Sequence, residues 1–238
     1  MKKVLVTRPG SDAEETEMEL LKAGYQVVKD PILAIEPRSW VSPEWEKVDA
    51  IIITSKNALA GFAGHAMPKH KPYYVVGERT SQALRKLGLI HITGTVERSD
   101  ELPALIRLQH KPPNIRFVHL TAAHSHNAFY DVMKTEGYAI DTFVIYEAVA
   151  AKELQAETVR ALKEKEIDAV TFFSARSAEI FQDHALAAGL GKTLKTLDAI
   201  CISDFVAGSC DDGLWRSVRA ASRPTQKHLL ECLAHYVQ

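Results

Sequence analysis

Two short stretches carry hydroxyl and cationic side chains at one spacing, and that spacing suits the binding of anions. In residues 168–181, DAVTFFSARSAEIF, an apolar, β-branched run over 169–173 leads into Ser174, Ala175 and Arg176 and then into a helix opening near Ser177. Ser177 is the expected capping residue, with Glu179 in the first turn. In residues 49–62, DAIIITSKNALAGF, the same order of types places Thr54, Ser55, Lys56 and Asn57 between a strand and a helix. Where a strand feeds a helix in this way, the first helical N–H groups lack an internal partner and lie at the positive end of the helix dipole. They are donors for carboxylate or phosphate oxygens. Arg8 after KVLVT, Gly77, Arg79 and Thr80 after YYVV, and Ser203 after the apolar run 199–202 stand in equivalent places. Each has a plainer reading as well, since serine-rich turns often bind nothing and exposed cations often form surface ion pairs.

The elements that would position these residues repeat along the chain. Asp49 and Asp168, Ser55 and Ser174, and Phe62 and Phe181 all stand 119 residues apart. Val4 and Phe117, Gly24 and Gly137, and Tyr25 and Tyr138 share a second offset, 113. A strand is expected at 3–7, then a helix at 12–23 that buries Met18, Leu20 and Leu21 and stops at Gly24. Strands follow near 25–30, 49–54, 73–76, 90–94, 116–120, 138–150, 169–173 and 199–202, with helices between most of them. PILAIEP at 31–37 has a proline at each end and reads as extended. Strands alternating with helices imply parallel sheets covered on both faces, and the duplication implies two such domains.

Composition narrows the function. Lys and Arg total 29 against 30 Asp and Glu, a net charge of −1, which argues against nucleic acid as a partner. The three cysteines, Cys201, Cys210 and Cys232, have no metal-type spacing and read as reduced thiols. No apolar run approaches membrane length, and the first residues do not resemble a signal peptide, so the expected place is the cytoplasm. His119, His124 and His126 lack the cysteines or carboxylates that would complete a metal site and read as solvated loop histidines. GERTSQ at 77–82 lacks the second and third glycines of a dinucleotide loop.

Six segments in order resemble the uroporphyrinogen-III synthase family: VLVTRP at 4–9, DPILAIEP at 30–37, DAIIITSKNAL at 49–59, VVGERTSQALRKLG at 75–88, VIYEAV at 144–149 and DAVTFFSARSAEIF at 168–181. The resemblance covers nearly the whole chain. It implies an α/β fold of two flavodoxin-like parallel-sheet domains joined by a two-stranded ladder, with the active site in the cleft between them. Residues 1–33 and 150–238 would form one discontinuous domain, 38–142 the other, and 31–37 with 143–149 the ladder. It also implies a cofactor-free, metal-free enzyme that closes hydroxymethylbilane, an octacarboxylate, into uroporphyrinogen III, losing water and inverting the last pyrrole ring. Tyr146 falls on the family's recurrent tyrosine and would be the catalytic proton donor. The substrate would be held at Arg8, Thr54, Ser55, Lys56, Asn57, Gly77, Arg79, Thr80, Ser174, Ala175, Arg176, Ser177 and Ser203.

The expected molecule is a monomer with no membrane or nucleic-acid partner, coupled in function to hydroxymethylbilane synthase. Two departures from the family pattern stand out. Ser203-Asp204-Phe205-Val206 replaces a Gly-x-x-Thr turn, and Thr121-Ala122-Ala123-His124 replaces a turn that often holds glycine and arginine. A strand tyrosine that only packs is the competing reading of Tyr146. A non-catalytic two-domain protein that closes over an anionic ligand is the competing reading of the whole chain. Nucleotide or phosphoribosyl binding is weakened by the lack of a glycine-rich phosphate loop.

Overall fold

The structure, a computed structural model, describes residues 1–125 and 129–237. The chain forms two compact units, Met1–Ala34 with Val149–Gln238, and Ile35–Ala148. The first unit opens with β1 (Lys3–Val6), α1 (Gly10–Lys22) and β2 (Gln26–Lys29), and the chain leaves it along β3 (Leu33–Pro37). The second unit holds β4 (Ala50–Ile53), β5 (Tyr73–Val76), α2 (Glu78–Lys86) and β6 (Ile92–Val96). It continues with α3 (Leu102–Gln109), β7 (Arg116–Ala122), α4 (Phe129–Thr135) and the long β8 (Ala139–Ala150). Back in the first unit come α5 (Ala156–Lys163), β9 (Ala169–Phe172), α6 (Ala175–Ala187) and α7 (Gly191–Leu194). The chain finishes with β10 (Asp198–Cys201), α8 (Asp204–Ala207), β11 (Ser217–Ala220) and α9 (Gln226–Tyr236).

The first sheet runs β11-β10-β9-β1-β2 and its described pairs are all parallel. The second runs β3-β8-β7-β4-β5-β6, parallel from β8 to β6. The sequence offsets explain the relation between the two. They equate β1-α1-β2 with β7-α4-β8 and β9 with β4, and β10 follows β9 as β5 follows β4. On that register both sheets have one spatial order, 2-1-3-4-5, which is the flavodoxin-like arrangement. Each unit therefore takes its first β-α-β from one half of the chain and its remaining strands from the other. The chain must pass out and back once, and it does so through β3 and β8, which are neighbours in the sheet.

Parallel strands buried on both faces read as apolar runs, and β4 is such a run throughout, β1 after Lys3 and β9 apart from the buried Thr171. In the first unit Leu5, Val170, Phe172, Ala199 and Cys201 pack toward Phe181, Leu162 and Trp215. Val4, Val6, Ala169 and Ile200 pack the other way, against Leu20, Leu229 and Leu233. In the second, Ile51, Ile53, Tyr73 and Leu120 share a core with Leu84 and Tyr146, while Ile52, Tyr74 and Phe117 meet Ile106, Phe129 and Met133.

Several local expectations need correction. Helix α1 buries Ala13, Thr16 and Leu20, a stripe spaced by three and four residues, and leaves Met18 and Leu21 more than half exposed. The segment after Ser55 is a 3-10 helix, Lys56–Phe62, and not an α-helix matching α6. Gly61 accounts for part of this: a Cβ there would lie 2.4 Å from the Ile145 carbonyl oxygen, so the backbone is pressed against β8. Strand β11 and the single turn α7 are too short and too polar to carry a periodic signal. Ile90, read as the start of a strand, is exposed, and β6 begins at Ile92.

Candidate active site

In an open parallel sheet the ligand-facing rim is the one beyond the C-terminal ends of the strands. On the second unit, β4 ends at Ile53 and delivers Thr54 and Ser55 to that rim. Ser55 is extended, with φ −155° and ψ 143°, and its hydroxyl accepts from the Asn57 N–H at 3.2 Å. The Tyr146 hydroxyl bonds the same serine. Tyr146 reaches it from β8, where it stands opposite Ala122 and its carbonyl accepts from the Ala123 N–H at 3.0 Å. Burial leaves Tyr146 only 7% exposed and raises its pKa above the ordinary phenol value, an effect the Ser55 bond partly offsets. The result is a neutral phenol whose hydroxyl is anchored beside a capped turn. Lys56 and Asn57 are half-buried in that turn. The structure thus gathers Thr54, Ser55, Lys56, Asn57 and Tyr146 in one place.

Further along the same rim, Gly77 adopts φ +83°, a conformation that favours glycine, and its carbonyl accepts from the Thr80 N–H at 3.0 Å. Arg79 is exposed, whereas Thr80 is buried beneath the turn. His119 is not the solvated loop histidine the sequence suggests. It lies on β7, fully buried, with Nε2 3.0 Å from the Thr54 hydroxyl and Nδ1 2.8 Å from the Tyr130 hydroxyl, which in turn bonds the Thr142 hydroxyl. Burial brings its pKa down to about 3, so the imidazole is neutral. The repeat offset places His119 on Val6, an apolar strand position, and that is the available signal of its burial. His124 is exposed, and His126 lies outside the described residues. Among the described residues no group of His, Cys, Asp and Glu could hold a metal ion.

On the first unit the cap of α6 is Ser174 and not Ser177. Its hydroxyl accepts from the Ser177 N–H at 3.1 Å and lies 2.6 Å from the Ser177 hydroxyl. Ser174 has the extended backbone a cap needs, while Ser177 sits two positions inside the helix. The N–H groups of Ala175 and Arg176 are left without intrahelical acceptors. Arg176 is half-buried and forms no ion pair with any described residue. Ser203 caps α8 through a longer bond, 3.4 Å from the Val206 N–H, and is followed by exposed Asp204 and by Phe205, which is 81% exposed. Arg8 is held within this unit. Its guanidinium lies 3.2 Å from the Asp12 carboxylate, donates to Thr16 and Gln226, and stacks 4.0 Å from the centre of the Phe173 ring. Cys201 and Cys210 have sulfurs 3.7 Å apart in the core, and all three cysteines are free.

Both rims therefore present capped turns with spare backbone donors, and one of them carries an anchored neutral phenol. The family model described as HEM4, uroporphyrinogen-III synthase HemD, matches residues 14–231.

The chain belongs to the uroporphyrinogen-III synthase family.

The solved structures agree on the fold. The chain resembles uroporphyrinogen-III synthetase from Helicobacter pylori, with a TM-score of 0.70 at 19% identity over 100% of both chains. It also resembles a mutant uroporphyrinogen III synthase from the extremely thermophilic bacterium Thermus thermophilus, with a TM-score of 0.55 at 18% identity over 100% of this chain and 99% of that one. Among curated protein sequences none matches. Uroporphyrinogen-III synthases are cofactor-independent cyclising lyases of haem biosynthesis, with hydroxymethylbilane as the family substrate. No helix among the described residues is long and apolar enough to cross a membrane.

Proposed function

We propose that this chain is a uroporphyrinogen-III synthase whose Tyr146 donates a hydrogen bond, and then a proton, to the hydroxyl that leaves hydroxymethylbilane. The observation that carries this reading is the Tyr146 phenol, kept neutral by burial and bonded to Ser55 at the rim beyond the end of β4, which the longer β8 runs past. Loss of the hydroxyl as water breaks a C–O bond and leaves a cationic azafulvene. The substituted carbon of the last pyrrole attacks it, forming a C–C bond and a spiro intermediate. That intermediate fragments and recloses with the ring inverted, and loss of the ring proton restores the pyrrole. Tyr146 recovers its proton from the solvent. The protein's larger contribution is to hold the flexible chain so that inverted closure outruns direct closure.

The substrate carboxylates would be held by Thr54, Ser55, Lys56, Asn57, Gly77, Arg79 and Thr80 on one rim. Arg8, Ser174, Ala175, Arg176, Ser177 and Ser203 would serve on the other. The N–H groups of Ala175 and Arg176, at the first turn of α6 and without intrahelical acceptors, support this most directly. Arg8, already occupied by Asp12, would act by shaping the turn. On this reading residues 1–33 and 150–238 form one domain, 38–142 the second, and 31–37 with 143–149 the ladder. The enzyme would work as a cytoplasmic monomer supplied by hydroxymethylbilane synthase. Hydroxymethylbilane made in situ, followed by oxidation and separation of the isomers, tests the assignment. Isomer III above the spontaneous background is expected, and isomer I alone would refute it.

A further inference from the structure

The chain of groups behind Thr54 has a direction. His119 touches Thr54 through Nε2 and Tyr130 through Nδ1, and Tyr130 touches Thr142. A neutral imidazole has one donor and one acceptor nitrogen, and each hydroxyl has one proton to give. Three arrangements satisfy every contact. In one, Thr142 donates to Tyr130, Tyr130 donates to Nδ1, Nε2–H donates to Thr54, and the Thr54 proton is left for an acceptor at the rim. In the other two Nδ1–H donates to Tyr130 and Thr54 spends its proton on Nε2, while the bond between Tyr130 and Thr142 runs either way.

The first arrangement is the favoured one. A phenol is a stronger hydrogen-bond donor than an alcohol, so the Tyr130 proton belongs on the imidazole. Thr142 is exposed enough to exchange bonds with water in each of them. The rings of Phe129 and Tyr130, with centroids 5.3 and 5.4 Å from that of His119, shield the imidazole from water and keep it neutral. The free end of the chain is adjacent in sequence to Ser55, the anchor of Tyr146.

We infer that His119 is a positioning residue that turns the Thr54 hydroxyl outward as a donor to an anionic group of the ligand, and this rests on the octacarboxylate reading above. The role differs from simple core packing, because it depends on which nitrogen carries the proton.

Two replacements separate the contacts. His119→Gln sets an amide near the Nε2 position and keeps a partner for Thr54, whereas His119→Asn sets one near Nδ1 and serves Tyr130 alone. The expected result is a KM for hydroxymethylbilane raised roughly tenfold in His119→Asn, with kcat little changed and near-normal values in His119→Gln. A hydrogen bond to a charged group is of that order. Thr54→Val is expected to match His119→Asn, and the double variant to add nothing further. Equal KM values in the Asn and Gln variants would overturn the inference. Nitrogen-15 NMR of the unmodified protein reads the tautomer directly, whether or not the variants fold. A neutral imidazole protonated at Nε2 is expected, and protonation at Nδ1 would overturn it. Failure of the unmodified chain to make isomer III would instead defeat the functional reading, and the tautomer would still decide the hydrogen-bond direction.

Discussion

Burial acts in opposite senses on two rings at the rim of the second unit. It raises the Tyr146 phenol and lowers the His119 imidazole to about 3, and both become neutral groups with assigned hydrogen-bond partners. For the role proposed for Tyr146 this matters chemically, because a proton donor must hold its proton until the leaving hydroxyl takes it. Tyr146→Phe removes the hydroxyl and keeps the ring packed among Ile51, Ile53 and Leu120. The expected result is a fall in kcat of roughly 10²-fold, at the low end for general acid catalysis. The stability loss should be only about 1 kcal/mol, for one hydrogen bond to Ser55. An unchanged kcat, with folding intact, would return Tyr146 to a packing role. Sequence reasoning reaches Tyr146 through its place in VIYEAV and Ser55 and Ser174 through a repeated spacing. It misses His119, Tyr130 and Thr142, since their meeting depends on β7, α4 and β8 converging, and no local pattern encodes that.

At the scale of elements, the instructive case is the pair of turns after β4 and β9. Their sequences match at 119 residues' distance, yet one leads into thirteen residues of α-helix and the other into seven of 3-10 helix. The difference lies in the neighbour and not in the serine cap. Gly61 passes so close to Ile145 that a Cβ would meet its carbonyl oxygen at 2.4 Å. Gly61→Ala is therefore expected to destabilise the protein by roughly 1–3 kcal/mol, as overpacking does. Because the same segment begins at Lys56, the variant should also lose turnover. Urea denaturation with an unaltered midpoint would contradict this account. The strands are legible because buried parallel strands are written as apolar runs. The single turn α7 and the strand β11 are not, because their four residues are largely polar, whereas the helix expected after Ser203 is present as the short α8.

At the scale of the whole molecule, the repeat offsets carry more information than any single element. They contain the exchange by which each sheet takes strands from both halves of the chain, and so the shared 2-1-3-4-5 order. Acid stability follows from the groups each unit buries. His119 has a folded pKa of about 3 against an ordinary value of 6.5, so the unfolded chain binds the extra proton first. Stability is full above pH 6.5 and falls as the pH drops toward 3, by at most about 1.4 kcal/mol per pH unit. Glu166, held down to about 2 by Lys3 and Arg160, adds its loss only below the usual carboxylate range. Denaturant unfolding from about pH 6.5 down to about 4.5 should show this slope, and His119→Gln should flatten it. An identical slope in the variant would contradict the assignment.

The most direct measurement for the enzyme itself is a turnover count. Hydroxymethylbilane, generated in large excess over the chain, is allowed to close, and the oxidised products are separated into isomers I and III. A catalyst that positions the substrate and donates a proton from Tyr146 yields many moles of isomer III per mole of chain. Isomer III absent, or never exceeding one equivalent of the chain, would contradict that account.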